Sequence, residues 1–376
     1  MPLFGFDADG IDIHGSVLTT LSYSDEYNYL GETRKEWDFN NTELTLNGQY
    51  RFKNGLRVGL QLYGYELGEM DGLTLDWAVA DYSFNQYIGV RAGRLKYQLG
   101  LYNNVRDVDA AHTFAVLPNS IYPKHRRPYV SSIDGVMLYG NLAAGTFGSL
   151  DYEVSYGTKM KDGGLAESVG AKSITQNELH GAGLIWNTPM DGLRAAYSYG
   201  LNGPVEITYQ NDAEMDKDFI YHTVSLEYSW NSWRFTAEYQ RNPIEASVVT
   251  PLGVVRRKET VDGYYIQAAY RVNDWLELGT YYNVEYSDKD DHGGARFGSP
   301  DPVLGREAGP AHQAWTKELA FAARFDITQH WLIKAEVHLI DGTSRIGTAA
   351  MGVPNLPTDQ WTAKWSYFVL RTTFTF

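Results

Sequence analysis

The chain has 376 residues, 43% of them hydrophobic and 14% aromatic, with no cysteine and a net charge of −14. The acidic balance runs against nucleic-acid binding, which needs clustered positive charge, and the absence of cysteine excludes disulfides, thiolate catalysis and Cys-ligated zinc. No run of about 18 apolar residues occurs, which excludes a spanning helix but not a spanning strand, where only alternate side chains meet lipid.

The opening MPLFGFDADG has neither a basic n-region nor an apolar h-region, so the sequence reads as a mature chain without a signal peptide. GIDIHGSVLTTLSY is the first predicted strand, and a series of hairpins follows. Their short turns fall at Lys53-Asn54-Gly55, near Asn85, around Ala144-Gly145, at Pro189 to Gly192, at Asn231-Ser232, at Asn273-Asp274 and around Thr328-Gln329. The fifth hairpin shows the pattern well: Val224, Leu226, Tyr228 and Trp230 share one face before the turn, and Trp233, Phe235, Ala237 and Tyr239 share it after. A two-residue turn pairs Trp230 with Trp233 and Tyr228 with Phe235.

With the first and last segments the count is about sixteen strands. The other connections are long and polar, at 24–37, 66–72, 98–131, 158–176, 201–217, 242–260, 287–314 and 341–360. This alternation predicts an all-β, sixteen-stranded antiparallel transmembrane barrel spanning 1–376 as one domain, with short periplasmic turns and long extracellular loops. A soluble sandwich or propeller would also alternate, but would not gather its long loops on one side. Within lipid every backbone amide needs a partner, so the last strand must pair with the first. Phe368, Leu370, Phe374 and Phe376 then form a lipid-facing row, with the terminal Phe in the periplasmic aromatic girdle.

That C-terminal row resembles the recognition signal of Gram-negative outer-membrane proteins. The stretch VRAGRLKYQLGLYNNVRDVDAAHTFAVLPNSIYPKHRRPYVSSIDGVMLYGNL resembles the fifth strand, third loop and sixth strand of the phosphate-selective porin O/P-like superfamily, through GR-K---GLYN--RD, LP-SIY and DGV-L-G. The resemblance implies a trimeric porin of the bacterial outer membrane whose third loop folds into the lumen. It leaves the solute open: with Lys96 and Lys124 as the loop's lysines, a general or organic-anion channel fits as well as a phosphate-selective one.

Segment 98–131 is the longest connection and the natural constriction. Counted from Lys96, it carries Lys96, Arg106, Lys124, Arg126 and Arg127 against Asp107 and Asp109, a positive excess in an acidic chain. Together with Arg94 these residues are the predicted constriction, where a positive field would favour anions. Arg126 and Arg127 have a second reading, as anchors to wall carboxylates or as residues facing a trimer axis. The predicted lumen wall includes Arg51, Arg57, Arg91, Arg234, Arg271, Arg324 and Arg371. Glu227, Glu238 and Glu318 share its parity, so these arginines either line the water or pair with carboxylates.

The function expected is passive diffusion of small hydrophilic solutes with anion preference. The alternatives are a substrate-specific anion channel and a plugged structural or adhesive barrel. The partners expected are membrane lipid, lipopolysaccharide, small solutes and two further copies of the chain. The acidic runs at 214–218 and 287–291 read as solvated loop tips, with a structural calcium ion as the alternative. The nine His show no ligand spacing, and no Ser-His arrangement is legible, so no catalysis, metal or cofactor is expected.

Overall fold

A computed structural model describes residues 10–39, 41–67, 70–124, 127, 131–159, 171–209, 214–250, 253–300, 308–346 and 360–376. Alternating side chains produce strands throughout. These are β1 (Ile11–Ser24), β2 (Asn41–Arg51), β3 (Arg57–Leu67), β4 (Met70–Asn85), β5 (Ile88–Lys96), β6 (Ser132–Ala143), β7 (Ser149–Lys159) and β8 (Ala171–Asn187). They continue as β9 (Leu193–Tyr209), β10 (Glu214–Trp230), β11 (Trp233–Thr250), β12 (Gly253–Asn273), β13 (Leu276–Tyr286), β14 (Trp315–Asp326), β15 (Trp331–Gly342) and β16 (Lys364–Thr375). Each pairs antiparallel with its sequence neighbours, and β16 returns to β1 to close the barrel.

The seam runs from Ser16↔Thr375 to Ser24↔Tyr367. On β16, Phe368, Leu370 and Phe374 point out and are 38–46% exposed, while Tyr367, Val369, Arg371 and Thr373 are buried inside. Phe376 is half-buried rather than exposed like its row-mates, because its ring lies over Gly15: a Cβ there would come within 2.9 Å of the ring and 2.7 Å of the Thr45 carbonyl. Other strands also present exposed apolar residues, among them Leu44, Leu60, Val136, Val154, Val224, Ile266 and Phe321. An apolar belt this extensive is costly in water and natural in hydrocarbon. The predicted register at Trp230↔Trp233 and Tyr228↔Phe235 is present.

Three predicted loops are largely strand instead, and a fourth is strand at both its ends. Only 68–69 separate β3 from β4, 210–213 separate β9 from β10, and 251–252 separate β11 from β12, while β7 and β8 extend into 158–176. Polar composition marks these segments as loops, yet the backbone ladder needs no apolar side chain once the hairpin has left lipid. There cross-strand charge pairs stand among apolar ones: Glu245 and Lys258 are register partners 2.5 Å apart, with Val249↔Val254 further out. The acidic run 214–218 therefore lies within β10 and is not a loop tip.

Candidate functional site

The described part of the connection after β5, 97–124, folds into the barrel because its own apolar residues find apolar patches on the wall. Tyr97 and Leu99 pack with Leu179 and Tyr221, Tyr102 and Tyr122 with Tyr265, and Phe114 with Tyr281 and Ala320. Gly279 permits close approach, since a Cβ there would stand 2.8 Å from the Thr113 methyl.

Polar bonds then fix the loop. Wall acceptors take its backbone N–H groups: Glu153 from Gln98, Ser198 from Gly100 at 3.1 Å, Glu238 from Leu101 at 2.8 Å, and Glu336 from Ala115 and Val116. Wall cations donate to its carbonyls: Arg324 to Ala110 at 2.6 Å, Lys334 to Phe114 at 3.1 Å and Arg371 to Ala115 at 2.8 Å; Arg345, in the connection after β15, donates to Asn119 at 3.0 Å. Buried irregular backbone is tolerable only with such partners.

The opposite side of the loop faces β2 to β4. Lys124 pairs with Glu43 at 2.6 Å, and the Arg127 guanidinium lies 3.7 Å above the Tyr63 ring. Arg127 also meets Asp76 at 2.6 Å and Asp107 at 2.8 Å, while Lys96 bonds the same two carboxylates. Burial alone would raise the Asp107 carboxyl, but Arg127 and Lys96 reverse that and hold it far below the usual range. Arg106 donates to the Tyr122 carbonyl at 2.7 Å and has no carboxylate within ion-pair distance among the described residues. Burial, reinforced by Arg127, brings its pKa down to about 10.

These groups border one cleft of about 60 Å³, lined by Arg106, Asp107, Asp109, Lys124 and Arg127 from the loop with Glu43 and Arg371 from the wall. Five of the eight predicted constriction residues thus meet in one place. Lys96 stands behind them on Asp107, and Arg126 lies outside the described residues. Arg94 is a correction. Leu95 and Ile133 face inward, so their neighbours Arg94 and Asp134 take the outer face, where they pair at 2.6 Å and Arg94 donates to the Leu75 carbonyl. Alternation reverses the side of the barrel at each step, and the Gly-rich β5 obscures that parity in sequence.

Most predicted wall arginines are paired. Arg57 and Arg91 share Asp81, Arg234 meets Glu277, and Arg271 and Arg324 share Asp326. Arg371 meets Asp109 at 3.3 Å. Glu227 takes Arg194 at 2.8 Å and the Tyr102 hydroxyl at 2.8 Å. Glu238 accepts from Ser225, Tyr122 and Tyr265, and Glu318 from Tyr281, with His338 at 2.7 Å. Arg51, exposed at the end of β2, has no ion pair among the described residues.

The sequence reading missed Asp76 and Asp81. Asp76 lies inward at a register shift that breaks the parity of β4. In the acidic run 287–291, Asp288 bonds Arg296 and Asp290 meets Lys289, while Asp291 accepts the N–H groups of Ala295 and Arg296. Among the described residues no acidic or histidine cluster is arranged to hold a metal.

No protein-family model matches the chain, and no curated protein sequence matches it. Solved structures do. An anion-selective porin from Comamonas acidovorans superposes with a TM-score of 0.62 at 12% identity, covering 97% of this chain and 99% of that one. Salmonella typhi OmpF gives 0.60 at 12% identity over 99% and 100% of the two chains. The outer-membrane channel DcaP of Acinetobacter baumannii gives 0.58 at 12% identity over the whole of both. At such identities the likeness is one of fold, the sixteen-stranded antiparallel barrel of outer-membrane porins.

Proposed function

We propose that the chain is an outer-membrane porin: one barrel domain over 1–376, assembled as a homotrimer in a Gram-negative bacterium, through which small hydrophilic solutes diffuse with a preference for anions. The observation that carries this is the charged cleft between the tethered loop and the β2–β3 wall, where Arg106, Lys124, Arg127 and Arg371 outnumber Glu43, Asp107 and Asp109. A barrel of this strand number encloses water unless a loop fills it, and low-dielectric walls focus the field of the excess cations. Passage needs no chemistry, so no catalytic role is assigned. The likeness to an anion-selective porin agrees with this reading. A finer version, selectivity for phosphate, draws on the resemblance of the β5–loop–β6 stretch and on Arg106.

The test is reconstitution into planar bilayers. Stable ohmic steps in threes, with a reversal potential of anion-selective sign under a salt gradient, are expected. Block by phosphate well below the salt concentration would specify the finer version. A second reading, a plugged structural barrel, is favoured by the loop's bonds to both sides of the wall and by the small cleft. Folded protein without conductance would establish that reading instead.

A further inference from the structure

At their outer ends β8 to β12 continue as one sheet beyond the rungs they share with β7 and β13, and β12 bounds that sheet on one side. With β11 it stays paired up to the hairpin tip, Thr250↔Gly253. Its pairing with β13 stops at Asp262↔Tyr286, and the last tether is the Lys289 N–H on the Thr260 carbonyl at 2.8 Å. Successive residues of a strand turn their N–H and C=O groups to opposite edges, so residues in step with Thr260 face away from β11. Val254, Arg256 and Lys258 are in step with it. They present both groups along an edge of about 20 Å that meets no other backbone among the described residues.

The side chains along this edge select its partner. Val254, Arg256 and Lys258 share the outer face, where Val254 is 59% exposed and its register partner Val249 is 50% exposed. Lys258 and Glu245 are both largely in solvent, which weakens their pair, and the exposed Arg256 has no ion pair among the described residues. A bare edge invites any strand, a second copy of itself included. Two copies laid edge to edge in antiparallel register would set the basic run 256–258 against itself, which like charge disfavours. An acidic strand meets attraction at the same positions, so charge both admits one partner and excludes the other.

We propose that the outer edge of β12 takes up an extended acidic segment of a partner protein as an added strand. The segment's main chain pairs with Val254, Arg256 and Lys258, which supplies affinity without regard to sequence. An apolar side chain lies against the Val249–Val254 pair, and carboxylates meet Arg256 and Lys258, which supplies the choice of sequence. The inference needs only the fold; the outer-membrane reading adds that this edge stands outside the cell.

Fluorescence anisotropy with the purified barrel in neutral detergent tests it. The probe is a labelled peptide of about eight residues, long enough for the edge, with valine and glutamates on one face and threonines on the other. Its controls carry lysine for glutamate, or N-methyl groups on alternate amides. The acidic peptide should bind about tenfold more tightly than the lysine form, since two cross-strand charge pairs change sign. N-methylation should abolish binding. Val254→Pro should weaken it severalfold, by removing an edge N–H that the β11 ladder does not use. Arg256→Glu with Lys258→Glu should reverse the preference between the peptides. Absent binding, or equal binding of the acidic and lysine forms, overturns the proposal. Binding that survives N-methylation also overturns it, by reporting charge without strand pairing. So does a wild-type barrel that sediments as a larger assembly than Val254→Pro, which would assign the edge to a second copy. Conductance in bilayers should be unchanged in these variants, so failure of the edge and failure of the channel reading are separately visible.

Discussion

Lys334, fully buried on β15, donates to the Asp109 carboxylate at 2.9 Å and to the backbone oxygen of the same residue at 2.8 Å. It therefore holds the turn of the loop by charge and by main chain together. Lys334→Met removes both bonds and the one to the Phe114 carbonyl, and leaves Asp109 to Arg371 and Thr373. Breaking a buried pair from one side costs about 3 kcal/mol or more. The barrel's backbone ladder is untouched, so the loss should appear as faster proteolysis within 97–131 and noisier single-channel current, at unchanged strand content by circular dichroism.

Asp107 neutralises Lys96 and Arg127 jointly with Asp76. Asp107→Asn leaves two cations on one carboxylate beside the cleft. The ratio of anion to cation permeability should rise about two- to fivefold, by the field of one uncancelled charge in a confined site. A reversal potential indistinguishable from wild type would place the ion path away from this cluster.

Arg94 and Arg106 are a matched test of sidedness. Arg94 is on the outer face with Asp134, whereas Arg106 borders the cleft with no carboxylate partner among the described residues. Arg106→Glu should shift selectivity toward cations. Arg94→Glu should leave it unchanged while weakening the barrel's outer surface, because Glu would face Asp134. Equal shifts from the two variants would refute the assignment of faces.

The barrel was legible because period-two alternation and short turns are local signals, and closure follows from the needs of backbone in lipid. The short-turn ends agree with the structure because turn residues such as Asn231-Ser232 carry their own geometry; Asn231 adopts a φ of 52°. The outer ends were less legible. There hairpins such as β11–β12 continue into water, where composition no longer distinguishes strand from loop. The identity of the loop was readable from its length, but not its contacts. Glu336 accepts from Ala115 and Val116 across more than 200 positions, and no spacing rule reports such a contact. Arg94 was misplaced by one step of parity, and Asp76 was hidden by a bulge.

His112 ties the loop to itself, its Nε2–H donating to the Val105 carbonyl at 3.0 Å while the ring packs edge-on against Tyr102. Burial, with Lys334 nearby, lowers its pKa from 6.5 to about 4. The folded loop therefore refuses a proton that the released loop accepts. Its stability is full above pH 6.5, declines as pH falls from there and levels off below about 4, by up to about 3 kcal/mol. Loop proteolysis should quicken over that window and recover on return to neutrality. His112→Gln, which keeps a donor but does not titrate, should flatten the response; an unchanged profile would exclude His112 as its source.

Gly15 and Phe376 exchange two backbone hydrogen bonds, each 3.0 Å, at the last rung of the seam. The terminal ring covers the outer face of Gly15, so the rung is both bonded and capped. Gly15→Leu would drive a side chain against that ring and the Thr45 carbonyl. Phe376→Ala would expose the rung while leaving β1 and β16 paired from Ser16↔Thr375 onward. Closure is cooperative, since an unpaired strand edge has no partner in hydrocarbon. Gly15→Leu should therefore lower the folded fraction after refolding into detergent severalfold, whereas Phe376→Ala should slow folding but retain a barrel. Heat-modifiable mobility on gels reads both. Equal, undiminished yields would show that the seam is held by the register above Ser16 alone.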